Sequence, residues 1–376
     1  MNDEIIYLVS SNASKEYMLD ALEVLSLPFG MVQHFRYQLR WLDEGLKKKL
    51  PIKGETEKKD LKNSKVIICY LYQQKQDNEW KWFEIYPLRT GILMEAFKTG
   101  TEDNDIAHFY FKVDKYIYYK EGFNFTNDMK DWESWNKHYA FLERNLEEDK
   151  VAPQEKSYSA FNKICESLKK EHFKSPKGDE DYYPIFGFID GLKTIKRSWT
   201  PWRKYEKKIF PKYDPLLYKS YYEISEGSCY SLEFRTYFPE NPPEFQVIVK
   251  SDEKLFSSPP ECKVKISSRY TEENCMLISR ELERDVYTSL SFETACKNFD
   301  GKKPLNLYIS LPVKIKRKLL FRAIEVLGDI GFGVGTGSIA LAKMLEGKWN
   351  WWYWPVIVGY GIWMISKLLL KLLWRG

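Results

Sequence analysis

The chain has 376 residues, 58 basic and 53 acidic side chains, a formal net charge of +5, and an aromatic share of 16% that includes 13 Trp and 26 Tyr. That balance of charge argues against a protein that holds polyanions through its bulk field. Six cysteines, Cys69, Cys165, Cys229, Cys262, Cys275 and Cys296, form no CxxC pair and have no histidine at ligand spacing, which argues against a zinc site and fits reduced, partly buried thiols.

Residues 1–150 are predicted to form an α+β cytosolic domain. Glu4 to Ser10 reads as a strand, and Lys15 to Leu25 as a helix whose apolar face carries Tyr17, Leu19, Leu22 and Leu25. Pro28 and Gly30 break that pattern, and Val32 to Leu46 resumes helical spacing. The charged stretch Lys47 to Lys65 reads as an exposed loop. Val66 to Tyr72, Trp80 to Tyr86 and His108 to Tyr119 are rich in β-branched and aromatic residues and read as strands.

Residues 151–222 read as a basic, aromatic connector with a helix at Tyr158 to Phe173. Within it, Lys193 to Lys212 holds eight basic residues against the single acid Glu206 and interleaves Trp199, Trp202, Tyr205 and Phe210. Lys196, Arg197, Trp199, Trp202, Arg203 and Lys204 are the candidate ligand-binding residues. Cations set among stacking rings suit a nucleotide or oligonucleotide ligand, with charge for the phosphates and flat faces for the bases. The same composition suits an anionic membrane surface or a solvated linker, and composition does not separate them.

Residues 223–313 change to period two: Tyr230, Leu232 and Phe234, then Phe245, Val247 and Val249, then Val264 and Ile266, then Leu305, Leu307, Ile309 and Leu311. Turn residues around Pro239 to Pro243, Ser258 to Pro260 and Asp300 with Gly301 separate the runs, so a β-sandwich-like domain is expected.

Residues 314–376 are expected to form a C-terminal two-helix transmembrane hairpin. A bilayer requires roughly 20 apolar residues: the uncharged Trp349 to Ser366 meets this, and Leu319 to Ala342 is long enough but marginal, with Arg322, Glu325 and Asp329 in its first half. Lys314, Lys316, Arg317 and Lys318 before them, and Lys367, Lys371 and Arg375 after them, place both ends on the cytoplasmic side, with Trp349, Trp351, Trp352, Tyr353 and Trp354 as a far-side aromatic belt. Met1 to Glu4 is acidic and Ile5 to Val9 is too short for a signal core, so the large domain is expected inside. Arg322, Glu325, Asp329 and Thr336 share one helical face and are the candidate pore-lining residues. Gly331, Gly333, Gly335 and Gly337, small residues four apart in pairs, are the candidate helix-packing positions. The run Gly331 to Gly337 lacks the Lys and Ser/Thr of a phosphate loop.

No catalytic signature appears. His34, His108, His138 and His172 are far apart in sequence, and Asp179 to Asp181 reads as a solvated turn. The expectation is a non-enzyme with no cofactor and no metal. Taken together, a multi-module cytosolic part and a C-terminal two-helix hairpin with glycines and embedded acids resemble the membrane effectors of bacterial anti-phage defence systems, of the CBASS or Hailong type. The resemblance is one of architecture over the whole chain. It implies a cytosolic sensor of a nucleotide signal, a homo-oligomer, and an ion channel or toxic pore in the lipid bilayer of the bacterial inner membrane, with both termini cytoplasmic. Two other readings stand beside it: a membrane-anchored protein-binding scaffold, and a membrane-bound enzyme of unfamiliar fold.

Overall fold

The computed structural model describes residues 4–374 apart from 55–60, 77–78, 133–136, 176–180, 198–203, 239–243, 258–260, 267–269, 281, 283, 298–300 and 345–352. The chain is mostly β, with 48% strand and 23% helix, which corrects the α+β assignment.

The first module runs β1 (Ile5–Ser11), α1 (Lys15–Ser26), β2 (Val32–Gln38), α2 (Glu44–Lys49), β3 (Lys65–Gln76), β4 (Glu79–Lys98), β5 (Ile106–Tyr116), α3 (Phe125–Met129) and β6 (Ala140–Glu143). Its six strands form one sheet in the order β2-β5-β4-β3-β1-β6, in which only β1 and β3 run parallel. Buried at every position, β1 has no polar face to alternate, as expected of an inner strand covered on both sides. Its Ile6 and Leu8 join one core cluster, while Ile5, Tyr7 and Val9 join another. The helix expected over Val32 to Leu46 is instead β2, a 3₁₀ turn at Leu39–Trp41, and the short α2. Along β2, Phe35 packs inward against Phe111 while Arg36 is exposed, a period of two that the later Leu39, Leu42 and Leu46 disguise.

The second module follows α4 (Tyr158–Ser167): β7 (Tyr182–Pro184), β8 (Phe186–Arg197), β9 (Lys204–Lys208), β10 (Lys212–Asp214), β11 (Lys219–Ser225), β12 (Cys229–Tyr237), β13 (Phe245–Lys250), β14 (Glu261–Ile266), β15 (Tyr270–Ile278), β16 (Val286–Ala295), β17 (Lys303–Leu305) and β18 (Tyr308–Lys316). A six-stranded sheet, β10-β11-β18-β16-β13-β14, faces a four-stranded one, β15-β12-β8-β9. Phe234 of β12 meets Phe292 of β16 across the interior at 5.3 Å between ring centroids. The stretch read as a connector therefore supplies β8, an inner strand of the sandwich, together with β9, β10 and β11. Cys262 of β14 and Cys275 of β15 form a disulfide that ties an edge of one sheet to an edge of the other, which corrects the expectation of reduced thiols for these two, while Cys69, Cys165 and Cys296 are free and buried.

The modules share a core. Met18, Leu22 and Leu25 of α1 pack with Phe161 of α4, Phe186 and Phe188 of β8, and Tyr237 of β12.

Beyond β18, α5 (Leu319–Met344) and α6 (Tyr353–Trp374) form an antiparallel hairpin. No helix among the described residues is long and apolar enough to cross a membrane. This overturns the transmembrane hairpin, the membrane pore and ion channel with its lining by Arg322, Glu325, Asp329 and Thr336, and the inner-membrane location. The physical reason is charge spacing. Arg322, Glu325 and Asp329 occupy the first half of α5, and Lys367 and Lys371 the last third of α6. The uncharged helical runs, residues 330–342 and 353–366, each span only roughly 20 Å at 1.5 Å per residue, against a hydrocarbon core of about 30 Å. The belt residues Trp349, Trp351 and Trp352, and the Asp179–Glu180 part of the acidic turn, lie outside the described residues.

Candidate ligand-binding site

The site begins with a helix that lacks its own C-terminal partners. Ser14 caps the start of α1 by accepting from the Tyr17 amide, but no basic residue occupies the last turn, and Pro28 follows. The terminal carbonyls need donors from elsewhere. Arg89, buried in the middle of β4, supplies them. Its Nη1 donates to the carbonyls of Val24 (3.0 Å) and Leu27 (2.7 Å), and its Nη2 and Nε donate to the Asp114 carbonyl (2.6 and 3.1 Å). Tyr116 donates its hydroxyl to Leu25 O at 2.7 Å and lays its ring 4.4 Å from the guanidinium. Burial lowers the Arg89 pKa, but a guanidinium stays protonated in proteins, and a cation at a helix C-terminus meets the negative end of the dipole. Burial also raises the Tyr116 hydroxyl to about 12, which keeps it a donor.

Over Arg89 lies a cleft of about 280 Å³ at the junction of the two modules. Leu27 and Phe29 come from the turn after α1, Arg89 and Tyr116 from the first sheet, Lys156 from the approach to α4, Phe188, Ile189 and Asp190 from β8, and Lys208 and Phe210 from the end of β9 and beyond. Phe29 and Phe210 stand edge to face at 6.3 Å, and Phe210 is 60% exposed, so much of its ring is open to solvent. Lys156 holds its ammonium 3.5 Å from the Phe29 ring centroid and 3.3 Å from Asp114.

A bulge aims the acid of the cleft. In the pairing of β12 with β8, Glu233 opposes Gly191 and Phe234 opposes Ile189, so Asp190 is the extra residue of β8. Gly191 sits at φ +108°, and a Cβ there would lie 2.8 Å from the Tyr222 hydroxyl. Only glycine suits that backbone and that approach. The Asp190 carboxylate is held by Lys208 at 2.5 Å and Lys193 at 3.8 Å. Partial burial pulls Lys193 down, yet Glu233 and Asp190 hold it above the ordinary lysine range. Arg89, Lys156 and Lys208 against Asp190 leave the lining with an excess of positive charge beside exposed aromatic surface.

Of the residues singled out in the sequence, Lys196 pairs with Tyr205 and Arg197 with Lys204 in the β8–β9 ladder, while Trp199, Trp202 and Arg203 lie outside the described residues. The basic aromatic window reaches the cleft through Lys208 and Phe210. Phe29, Arg89, Lys156 and Asp190 were not anticipated. In the hairpin, Gly331 and Gly335 lie at the contact between α5 and α6, Gly333 has no neighbour within 4 Å of an added Cβ, and Gly337 lies further along α5. Asp329 is exposed, and Thr336 donates to the carbonyls of Phe332 and Gly333, while Arg322 and Glu325 lie on α5.

The fold also joins histidines that sequence separates. His34 and His108 lie 3.0 Å apart between ring nitrogens, stacked with Tyr110, and burial holds both imidazoles below their usual pKa, His34 at about 4. His172 accepts the Lys169 amide at Nδ1 and sets Nε2 3.3 Å from the Tyr86 hydroxyl, which also bonds Glu84.

No family model matches the chain, and no curated protein is significantly similar to it.

Proposed function

We propose that the protein is a binding module for a nucleotide-type ligand, a flat ring joined to phosphate, taken up in the cleft between its two modules. The observation that carries this reading is the pairing of Lys156 and Lys208 with the rings of Phe29 and Phe210 over the buried Arg89 cation. Two ammonium groups suit phosphate oxygens, and Asp190 and Asp114 hold them in place until an anion arrives. The exposed ring of Phe210 suits a base, since aromatic stacking tolerates every base. A volume of about 280 Å³ favours one nucleotide unit inside the cleft over a strand. The reading keeps the signal-sensing part of the resemblance to defence effectors and leaves its pore aside.

Isothermal titration of the full chain with nucleoside mono- and triphosphates, cyclic nucleotides and short oligonucleotides tests it. Binding should weaken as salt rises, and Lys156→Ala with Lys208→Ala should lower affinity by about tenfold or more. Phe210→Ala should cost about 1–3 kcal/mol of stacking. No binding to any member of that panel, or binding indifferent to the double lysine variant, ends the proposal.

A further inference from the structure

The α5–α6 hairpin is sealed along its inner seam and left apolar outside. A Cβ on Gly359 would lie 2.5 Å from the Gly331 carbonyl oxygen and 2.6 Å from the Gly335 amide, and one on Gly328 would collide with Ser366. Backbones this close leave little room for side chains between them, so the bulky ones turn outward. Thirteen of the 23 exposed large apolar side chains among the described residues sit on these two helices, and no other described residue covers them. On one side, Leu327, Ile330 and Val334 with Trp354, Val358 and Ile362 line an apolar groove of about 460 Å³.

The charges indicate what covers it. Asp329 and Lys367 lie one residue to either side of the contact of Gly328 with Ser366, hence within about 3 Å of one height on the two antiparallel helices. Both are exposed, and neither forms an ion pair among the described residues. Opposite charges at one height, on neighbouring helices of an apolar column, fit a second column of the same kind set alongside in the same direction. The acid of one then faces the lysine of the next, while the apolar flanks meet. Gly333 and Gly361, where an added Cβ would touch nothing, leave space on the outer surface for a neighbour's side chains. Uncharged helical runs of only roughly 20 Å suit another protein surface of the same length better than a bilayer.

We infer that the hairpins of separate copies of this chain pack side by side, with Asp329 of one copy paired to Lys367 of its neighbour. This goes beyond the proposed binding function and does not depend on it.

Charge reversal on the full chain tests the pairing, read by light scattering on a sizing column and by sedimentation velocity. The parent should form a discrete oligomer. Asp329→Lys and Lys367→Asp should each weaken association by about tenfold or more, because like charges then meet across the interface. The double reversal D329K with K367D should restore association to within a few-fold of the parent. Recovery in the double variant separates a lost pairing from a helix that fails to fold. A monomeric parent, single variants that associate as the parent does, or a double variant as weak as the singles would each overturn the inference. So would a monomer that floats instead with phosphatidylcholine and phosphatidylglycerol vesicles.

Discussion

Arg89→Met is the sharpest test of how the modules are held. The side chain is 1% exposed and serves three carbonyls, two at the end of α1 and one at Asp114. Methionine fills much of the volume and supplies no donor. Each carbonyl left dry costs about 1–3 kcal/mol, and the lost contact with the Tyr116 ring adds about 1–2 kcal/mol. Relief from burying a charge returns several kcal/mol. The balance resembles removal of one partner from a buried polar set, a net loss of about 3–5 kcal/mol. Arg89→Lys keeps the charge, but a compact ammonium lacks the spread fork that reaches both the end of α1 and the Asp114 carbonyl, so it should fall between parent and Arg89→Met. Equilibrium urea unfolding followed by near-UV circular dichroism gives the difference, and thermal melts should fall by roughly 6 °C or more for Arg89→Met. Amide exchange should rise first in the last turn of α1. If Arg89→Met stays within about 1 kcal/mol of the parent, the carbonyls have other partners and the account of α1 is wrong.

Two further outcomes follow from groups near the same helix and from the sandwich edge. Burial raises Glu23 on α1 from 4.5 to about 7, with Gln33 opposing by a hydrogen bond. Its protonated form is favoured in the fold, so the stability it contributes is complete below pH 4.5 and is lost as pH rises through about 7. Glu23→Gln should flatten that slope and stabilise the chain at pH 8 by about 1–3 kcal/mol, measured as urea midpoints across pH. The Cys262–Cys275 disulfide closes a loop of sequence separation 13. Reductant, or Cys262→Ala with Cys275→Ala, should cost about 2–3 kcal/mol, and a melting temperature unchanged by dithiothreitol would show that the two sheet edges hold without it.

Much of the architecture was legible where one periodicity ruled. The strand at the N-terminus, the helix after Ser14 and the period-two runs from Tyr230 to Leu311 lie where the pattern put them. Val32 to Leu46 was misread because Val32, Phe35 and Leu39 fall at helical spacing as well as on one strand and its following turn. The connector was misread because Phe186, Phe188, Ile189 and Leu192 are buried on both faces of β8, which erases alternation, while its end carries cations. The cleft was harder still, since Phe29, Arg89, Lys156, Asp190 and Lys208 come from five separated stretches and no local spacing joins them. Two marks were nonetheless present: a glycine after Asp190 inside an apolar run, which is how a bulge reads, and a helix ending in Glu-Val-Leu-Ser-Leu-Pro with no basic residue to meet its carbonyls.

The hairpin shows the opposite failure, in which composition said too much. Trp349 to Ser366 is uncharged as sequence, but the described helix α6 begins at Tyr353 and meets Lys367 after about 14 residues. What decides whether an apolar helix suits lipid or protein is the length of its uncharged run, and among the described residues that run is roughly 20 Å in both helices. At that length Asp329 and Lys367 sit on the flank of the apolar column, exposed and without an ion pair among the described residues. A surface that is apolar along its flanks and oppositely charged at one height answers itself most simply, and for this reason the hairpin is better understood through copies of its own chain.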